Sequence, residues 1–397
     1  MNCFFLRVAF FASAILFSSV CVSEAANESW KTTTESFLSE LKLMQGPKDT
    51  FAPDTYYGPG GMICVVANGE VQFCRPFGYK EANDIKELAG VPAEPFNPTL
   101  GKPVEERSLF RLGSTSKLFV GLSLAICERQ GLVGYDNAVS KYLDEFSGKD
   151  VGKLTLKQLF THTGGLLPLH KPGLRERDDE VTNATTEEIL SEILKLTPDD
   201  SKVGRFSYSN IGILLLAEVV SRVQDLPFEA FVEKSILSPL EMSDTCFHTS
   251  QIDRSLKTTG YYPNFSPAID PDLQGYAPVG GMYSTGPDMA KLMAFLQQAL
   301  NPDSDRSLPI DPQVVRDLAT VHLKEGDRAM GVSLDIDYRN GRTLLGHNGR
   351  INGYASYFTF AKEANVGIVF LSNGGFPLGR TSAPELLNRL LQANSQD

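Results

Sequence analysis

The apolar residues of this chain change their spacing twice, and this change constrains the fold more than any other feature. From Ser114 to about Leu300 they recur mostly every three or four positions, which is typical of helices with one buried face. On either side the apolar runs are short and bounded by turn residues such as Asn68-Gly69 and Asn340-Gly341. The pattern predicts an α+β protein with a helical region inserted between two strand-rich segments.

A helix is predicted at each end of the folded part, one over residues 29–44 and one opened by Ser382 and Pro384. Their apolar faces consist of Trp30, Phe37, Leu38 and Leu41 in the first helix and of Leu386, Leu387, Leu390 and Leu391 in the last. Each face must be buried, most simply against an antiparallel sheet. Residues 80–106 have scattered proline and charge without an apolar period, which predicts a long surface loop.

Residues 1–25 are typical of a cleavable export signal. Arg7 precedes an apolar stretch from Val8 to Val20, and Ser23 and Ala25 occupy the small positions of a signal-peptidase site. The stretch is shorter than the roughly 20 residues of a spanning helix, so no stable membrane anchor is expected after cleavage. The remaining domain, residues 26–397, divides into an α/β part (residues 29–113 and 301–397) and a helical part (residues 114–300).

The charge of the chain limits its partners. The formal net charge is -11, and no run of lysine or arginine occurs anywhere in the sequence. A strongly acidic protein without a basic patch is a poor ligand for nucleic acid or for an anionic membrane. We therefore expect a small-molecule or peptide substrate and no nucleic-acid partner.

The spacing of the cysteines argues against a structural metal. Of six cysteines, two lie in residues 1–25, and the other four show no Cys-x-x-Cys or histidine-rich spacing that would predict zinc. Cys64 and Cys74 flank the predicted hairpin turn at Asn68-Gly69, so they lie on neighbouring strands. They form a disulfide only if the strand register places them opposite each other, which the sequence leaves open.

Three Asn-x-Ser/Thr triplets begin at Asn27, Asn183 and Asn264. They would carry glycans if the host is eukaryotic, and they predict a surface position for each asparagine.

Ser114 and Lys117 are the first candidates for chemistry. An extended "LFRLG" meets a predicted helix at this point, so the two side chains lie one turn apart with free N–H groups nearby. A serine hydroxyl becomes a nucleophile when a base removes its proton, and backbone N–H groups can hold the oxyanion that then develops. A helix-capping serine with a solvated lysine remains the alternative for this tetrad.

Two further stretches complete a candidate site. "GRFSYSN" places Tyr208 and Asn210 just ahead of an apolar helix, and a tyrosinate stabilised by Lys117 would serve as a base. "LGHNGRINGY" places His347 and Gly349 in a β-rich region, where the glycine would let a substrate backbone approach the strand closely. Taken singly, each of these residues has an ordinary structural explanation.

The order Ser-x-x-Lys, Tyr-x-Asn and His-x-Gly resembles the serine β-lactamase and penicillin-binding family, in particular its class C-like branch of esterases, peptidases and β-lactamases. The resemblance covers residues 30–395 and includes "YDNAVSKYLDEF", taken as a helix, "LTLKQLFTHTGGL", "FSYSNIGILLLAEVV" and "GGMYSTGPDMAKLM". It implies a β-lactamase/transpeptidase-like fold and a serine hydrolase that works through an acyl-enzyme without a metal or other cofactor.

The resemblance also implies a role for each motif residue. Ser114 would be the acylated nucleophile, Lys117 its proton partner and Tyr208 the general base and acid. Asn210 would contact the substrate amide. The oxyanion hole would consist of the backbone N–H groups of Ser114 and Arg350. His162, in "THTGGL", would belong to a structural turn rather than to the catalytic set, and His170, His248 and His322 are expected at the surface.

His347 departs from the family pattern, in which a lysine usually begins the third motif. Lysine is a cation that holds a substrate carboxylate, whereas histidine near neutral pH is mostly uncharged. This change favours ester, amide or D-amino-acid substrates over β-lactam antibiotics, unless Arg350 supplies the positive charge. Two other functions stay open at this point: acyl transfer to an acceptor other than water, and a scaffold of the same fold without turnover.

Overall fold

The computed structural model describes residues 24–41, 43, 58–93, 95–167, 184–262, 264, 266–302, 307–374 and 382–393. Residues 1–23 of the predicted export signal, Asn183 and His170 lie outside the described residues. The helices are α1 Glu24–Glu40, α2 Lys117–Arg129, α3 Leu156–Phe160, α4 Thr186–Ile193, α5 Asn210–Gln224, α6 Phe228–Val232, α7 Ala277–Gly280, α8 Gly286–Leu300, α9 Pro312–Leu318 and α10 Ser382–Ala393. The strands are β1 Gly60–Ala67, β2 Glu70–Ala82, β3 Gly101–Pro103, β4 Phe110–Arg111, β5 Tyr283–Ser284, β6 Leu323–Glu325, β7 Arg328–Met330, β8 Asp335–Arg339, β9 Arg342–Ile351, β10 Tyr354–Ala361 and β11 Val366–Ser372.

Nine strands form one antiparallel sheet in the order β3-β2-β1-β11-β10-β9-β8-β7-β6. The pairing of β1 with β11, with Ile63 opposite Phe370, joins the beginning of the chain to its end. The helical residues between them are therefore an insertion into one sheet, and the predicted α+β class with a β-lactamase/transpeptidase-like arrangement is confirmed. The short strands β4 and β5 pair with each other beside this sheet.

The predicted terminal helices cover one face of the sheet. α1 and α10 pack against each other, and α10 also packs against β11. The four leucines predicted for the last helix are each at most 2% exposed, and Phe37 of α1 makes an edge-to-face contact with Phe370. Burying a leucine stabilises the fold by roughly 1.5–3 kcal/mol relative to exposure, which fixes both helices on the sheet.

The opposite face of the sheet carries the helical region. α8 packs against β1, β2 and β11, and α2 packs against α5 and α9. Leu118, Leu122 and Leu215 belong to the large core between these elements and are fully buried. The start of α2 and the loop before α5 thereby face the β9 side of the sheet, where the candidate site lies.

Two local predictions are wrong. Residues 80–106 are not a single surface loop, because β2 extends to Ala82 and pairs with β3, with a 3₁₀ turn over Ile85–Leu88 between them. "YDNAVSKYLDEF" does not form a helix. It forms two separate 3₁₀ turns, Val139–Lys141 and Asp144–Phe146, because Ala138 before the first turn and Leu143 between the turns have extended backbones.

Cys64 and Cys74 form a disulfide. They are direct cross-strand partners in β1 and β2, with Cα atoms 4.1 Å apart. The turn residues Asn68 and Gly69 have φ angles of 55° and 74°, the left-handed conformation of a tight hairpin turn. Between this turn and the bridge the strand register shifts at Val65/Val66, so the turn and this irregularity together place Cys64 opposite Cys74.

The described glycosylation candidates differ in exposure. Asn264 is exposed, and its side-chain oxygen accepts hydrogen bonds from Ser266. Asn27 lies within α1, is half-buried, and has a buried side-chain oxygen. The predicted surface position fits Asn264 better than Asn27.

Within the described residues, no helix combines the length and the apolar character that crossing a membrane requires.

Candidate active site

Ser114 lies in a 3₁₀ turn, Gly113–Ser116, that leads directly into α2. Lys117 is the first residue of that helix, is fully buried, and donates hydrogen bonds to Ser114 Oγ at 2.9 Å and to the carbonyl of Val279 in α7 at 2.7 Å. These two hydrogen bonds fix the position of the lysine amine beside the serine hydroxyl. The alternative of a solvated lysine beside a helix-capping serine does not describe this pair.

Tyr208 approaches the same serine from the other side. Its hydroxyl lies 2.9 Å from Ser114 Oγ, within hydrogen-bond distance. Ser209 caps α5, because its Oγ accepts from the N–H of Gly212 and donates to the carbonyl of Leu167. This cap fixes the chain next to Tyr208, so the three predicted catalytic side chains meet at one point although they come from separate segments.

The buried environment shifts the proton affinities of this cluster. Desolvation lowers the pKa of Lys117 to about 7, although the carboxylate of Asp335 works in the opposite direction. Desolvation also raises the pKa of Tyr208 well above its usual value, although the hydrogen bond with Ser114 opposes this effect. Near neutral pH the phenol therefore keeps its proton, and the lysine amine is available as a base. The tyrosinate expected from the sequence is not favoured here.

Ser114 and Tyr208 open onto a cavity of about 500 Å³. It is also lined by Phe206, Arg328, Asp335, His347, Asn348, Gly349, Arg350, Ala355, Ser356 and Tyr357. The predicted nucleophile, the predicted third motif and both predicted oxyanion-hole residues thus line one cavity.

Gly349 allows a close approach between β9 and the turn that carries Ser114. A Cβ atom at this position would lie 1.9 Å from the carbonyl oxygen of Leu112 and 2.9 Å from the amide nitrogen of Thr115. The glycine therefore lets the turn that carries Ser114 approach β9. It also lines the cavity, and its predicted role beside a substrate backbone stays a prediction. Gly113, with a φ of 54°, lies on the other side of this contact, where its Cβ would be 2.7 Å from the amide nitrogen of Arg350.

Ser356 of β10 fastens the same contact. Its hydroxyl donates to the carbonyl of Leu112 at 2.6 Å and lies 2.7 Å from the hydroxyl of Thr115. Both hydroxyls are buried. The position of the Ser114 turn relative to β9 and β10 is therefore fixed by short polar contacts that the sequence did not reveal.

His347 is buried beside this contact, with 6% of its surface exposed, and its Nδ1 donates to the carbonyl of Asn348 at 2.8 Å. Burial lowers the pKa of His347, although Asp335 opposes the shift. The imidazole is therefore neutral near pH 7, as expected from the sequence, and does not provide the cation of a third-motif lysine.

Asn210 is the predicted site residue with the least support. It is half-buried at the start of α5, and its side-chain oxygen is buried without a hydrogen-bond partner among the described residues. It does not line the cavity. The predicted substrate contact would require this amide to be reached from the cavity.

His162 has a larger part in the site than the sequence indicated. It is 2% exposed and packs against the ring of Tyr208. Desolvation and the nearby Lys117 lower its pKa to about 3, so it is neutral and is not a second base near pH 7. His162 has a left-handed backbone conformation, with a φ of 57°, which histidine adopts more often than most residues do. A histidine directly before Thr-Gly-Gly was therefore the one signal in the sequence for this tight turn.

The two other described histidines are both partly exposed. His322 packs between Tyr135 and Phe160, and its Nε2 is buried. His248 is about a third exposed and lies 3.4 Å from Asp272. Within the described part of the chain, no group of three or more His, Cys, Asp or Glu residues is arranged to hold a metal ion.

Comparison with known proteins agrees with this architecture. Residues 49–392 match the β-lactamase family. A protein named β-lactamase from Providencia stuartii is 25% identical over 325 residues, which cover 72% of this chain and 80% of that protein. The human protein named putative β-lactamase-like 1 is 27% identical over 352 residues, covering 83% of this chain and 64% of that protein.

A solved structure of a class C β-lactamase superposes with a TM-score of 0.69 at 18% identity, covering 92% of this chain and 96% of that one. The sheet and the inserted helices thus define a protein of the β-lactamase/transpeptidase class of folds. Because the family match spans most of the sequence, the chain belongs to the β-lactamase family, whose members are serine hydrolases related to penicillin-binding proteins.

Proposed function

We propose that this protein is a serine hydrolase that cleaves ester, amide or peptide bonds through an acyl-enzyme on Ser114. The observation that carries the proposal is the hydrogen-bonded cluster in which Lys117 Nζ and the Tyr208 hydroxyl each lie 2.9 Å from Ser114 Oγ at the wall of a cavity. A buried amine beside a serine hydroxyl has no evident structural purpose, because burying it is costly.

Lys117 acts as the base for acylation. With a pKa of about 7, a large share of the amine is neutral near neutral pH and can accept the Ser114 proton. The serine oxygen then forms a bond to the substrate carbonyl carbon, and the carbonyl π electrons move to its oxygen. The N–H groups of Ser114 and Arg350 hold this oxyanion, as the family resemblance implies.

Tyr208 acts as the proton carrier between the two stages. Because burial keeps the phenol protonated, its hydroxyl donates a proton to the leaving alcohol or amine as the carbon–heteroatom bond breaks. In deacylation the resulting tyrosinate takes a proton from the attacking water, and the Lys117 ammonium returns its proton to Ser114 Oγ as the acyl group leaves. The attack of water on the acyl-enzyme thus releases the acid. Every step uses groups of this chain and water.

The lack of charge on His347 favours substrates without a carboxylate. β-lactam antibiotics and the peptides that they imitate carry a carboxylate, which the family's third-motif lysine binds. Here that position is a buried, uncharged imidazole. We therefore propose esters, amides or peptides that do not depend on a carboxylate, rather than dedicated β-lactam hydrolysis, although relatives of this chain are named β-lactamases.

An active-site label tests the proposal. The protein is incubated with a fluorophosphonate, and its intact mass is measured beside that of Ser114→Ala. We expect one adduct on the wild type and none on the variant. A wild type that stays unlabelled and turns over none of a panel of nitrophenyl esters, aminoacyl amides and a chromogenic cephalosporin contradicts the proposal, and so does an undiminished adduct on Ser114→Ala.

We further propose that residues 1–25 are removed during export. The Cys64–Cys74 disulfide supports this proposal, because such bonds persist mainly in oxidising compartments. Determining the amino terminus of the protein recovered from its native host tests it, and a mature protein that still begins at Met1 contradicts it.

A further inference from the structure

Asp335 is a charged residue of the cavity that has no task in the chemistry proposed above. It is the first residue of β8, is half-buried, and lines the cavity together with Ser114. Among the described residues, no side chain forms an ion pair or a hydrogen bond with its carboxylate. A carboxylate that is partly removed from water without a partner is unfavourable, and it becomes more so when a substrate displaces the remaining water.

The sheet places Asp335 where a bound substrate passes. β8 pairs with β9 only as far as Asp335 opposite Gly346. β9 continues to Ile351, and its residues from His347 to Arg350 line the cavity. Asp335 therefore lies at the end of the cavity where the pairing of β9 with β8 stops, and its charge acts on both Lys117 and His347.

The two cations that line the cavity, Arg328 and Arg350, are more exposed than Asp335. Arg328 is exposed and stacks over the ring of Phe206, with 4.5 Å between its guanidinium carbon and the ring centroid. Arg350 is also exposed. Exposed cations keep much of their hydration, whereas the half-buried Asp335 does not. The stacking also shows that the Phe206 ring, which lines the cavity, accepts a cation on its face.

We propose that Asp335 is a specificity-determining residue that selects substrates carrying an ammonium group and disfavours substrates carrying a carboxylate at the same place. A substrate ammonium would neutralise the Asp335 carboxylate at the moment its water is displaced, whereas a substrate carboxylate would meet a like charge beside a neutral His347. This inference rests on the proposed function, since it names the substrate class of the same site.

Two series of matched esters test the inference. In the first, nitrophenyl esters have acyl chains of equal length that end in a tert-butyl, trimethylammonium or carboxylate group. In the second, thioacetates have leaving thiols with the same three ends. In at least one series we expect kcat/KM to be highest for the ammonium ester, intermediate for the neutral ester and lowest for the carboxylate ester. The two charged esters should differ by about tenfold or more, because charges a few ångströms apart near a protein surface interact with at least that free energy.

Three variants assign the preference to the carboxylate. Asp335→Asn should bring the ammonium-to-carboxylate ratio of kcat/KM to within about threefold, whereas Asp335→Glu, which restores the charge, should keep the wild-type order. Asp337→Asn is the matched control, because Asp337 is on the same strand, pairs with Arg339 and does not line the cavity. It should keep the wild-type ratio. Because the readout is a ratio, a change common to all esters cancels, and melting curves report whether each variant folds.

The inference is overturned if wild-type kcat/KM is independent of the charge in both series, or if Asp335→Asn retains the wild-type ratio. Turnover of the neutral esters that Ser114→Ala lacks would still support the proposed function. If the wild type turns over no ester, calorimetry with choline and its neutral isostere dimethylbutanol decides the inference alone. Tighter binding of choline that Asp335→Asn loses supports it, and equal binding overturns it.

Discussion

The imidazole ring of His162 lies against the phenol ring of Tyr208, with 4.6 Å between the ring centroids and 38° between the ring planes. His162 also accepts two hydrogen bonds from the segment around the tyrosine. Its carbonyl accepts from the N–H of Ser207 at 2.8 Å, and its Nδ1 accepts from the N–H of Ser209 at 3.2 Å. One buried residue thus contacts three consecutive positions and fixes the phenol hydroxyl on Ser114.

We expect His162→Asn and His162→Phe to lower kcat by about tenfold or more, with a smaller change in KM, because a misplaced proton carrier slows chemistry more than binding. The two variants separate the causes. Asparagine keeps an acceptor and tolerates the left-handed backbone but removes the ring contact, whereas phenylalanine keeps a ring and leaves the N–H of Ser209 unpaired. His162→Phe should therefore also lose about 1–3 kcal/mol of unfolding free energy.

His322→Phe is the control for the His162 variants. His322 is half-buried between two aromatic rings and does not line the cavity, so its replacement should leave kcat unchanged. Urea unfolding and steady-state kinetics measure both properties. A wild-type kcat in both His162 variants would remove His162 from the positioning of Tyr208.

The pH dependence of kcat/KM reports the base. Lys117 must be neutral to accept a proton, so with a pKa of about 7 we expect kcat/KM to rise with pH through about 7 and then to level off. The Asp335 carboxylate favours the protonated amine, whereas the buried, neutral His347 adds no charge of its own. In Asp335→Asn the rising limb should therefore move to lower pH. A flat profile, or a limb displaced to higher pH in the variant, contradicts Lys117 as the base.

Replacing Tyr208 by phenylalanine tests the proton carrier. The variant keeps the ring that packs against His162 but lacks the hydroxyl on Ser114. We expect kcat to fall by about 10²–10⁴-fold, the usual contribution of general acid–base catalysis, with a much smaller change in KM. Steady-state kinetics on a neutral ester measure both constants. Near-normal turnover would show that the Lys117 amine carries out both proton transfers alone.

Tyr142→Phe provides the comparison for Tyr208→Phe. The Tyr142 hydroxyl accepts hydrogen bonds from Gly134 and Asn137 and does not line the cavity. Its loss should therefore reduce stability without changing kcat. If both tyrosine variants lost activity to the same extent, the effect of Tyr208→Phe would be structural.

The architecture was predictable from the sequence because burial leaves a periodic pattern. The leucines of α10 recur at helical spacing, and the strands of the sheet are separated by turn residues such as Asn68-Gly69. The contact between Ser114, Lys117 and Tyr208 followed from motif order rather than from periodicity. Residues 135–146 were mispredicted because their family resemblance suggested a helix, whereas local backbone preferences broke it into two turns.

The electrostatics of the site could not be predicted from the sequence. In the stretch "SLDIDYR", Asp335 and Asp337 are two positions apart and alternate with apolar residues in the same way. Nothing in this pattern shows that, of the two, only Asp335 lines the cavity. The proton affinities of Lys117 and Tyr208 depend on how deeply each is buried, which tertiary packing decides. For that reason the base expected from the sequence was the phenol, whereas the structure favours the amine.

Gly349→Ala tests the close contact between β9 and the turn that carries Ser114. A methyl group at this position would lie 1.9 Å from the carbonyl oxygen of Leu112. This oxygen belongs to the backbone, and the methyl group is fixed to strand β9, so neither can rotate away. Either β9 or the Ser114 turn must move. We expect kcat/KM to fall by about 10²-fold, as for other displacements of about 1 Å within a catalytic site, and the unfolding free energy to fall by about 1–3 kcal/mol.

Gly341→Ala is the matched control for this substitution. Gly341 lies in the turn between β8 and β9, has a φ of 72°, and has no atom within 4 Å of the added methyl group. Its replacement should cost about 1 kcal/mol through backbone strain and leave kcat/KM unchanged. Fluorophosphonate labelling rates then separate misplacement from unfolding. A folded Gly349→Ala protein that is labelled as fast as the wild type would show that Ser114 does not depend on the close approach of β9.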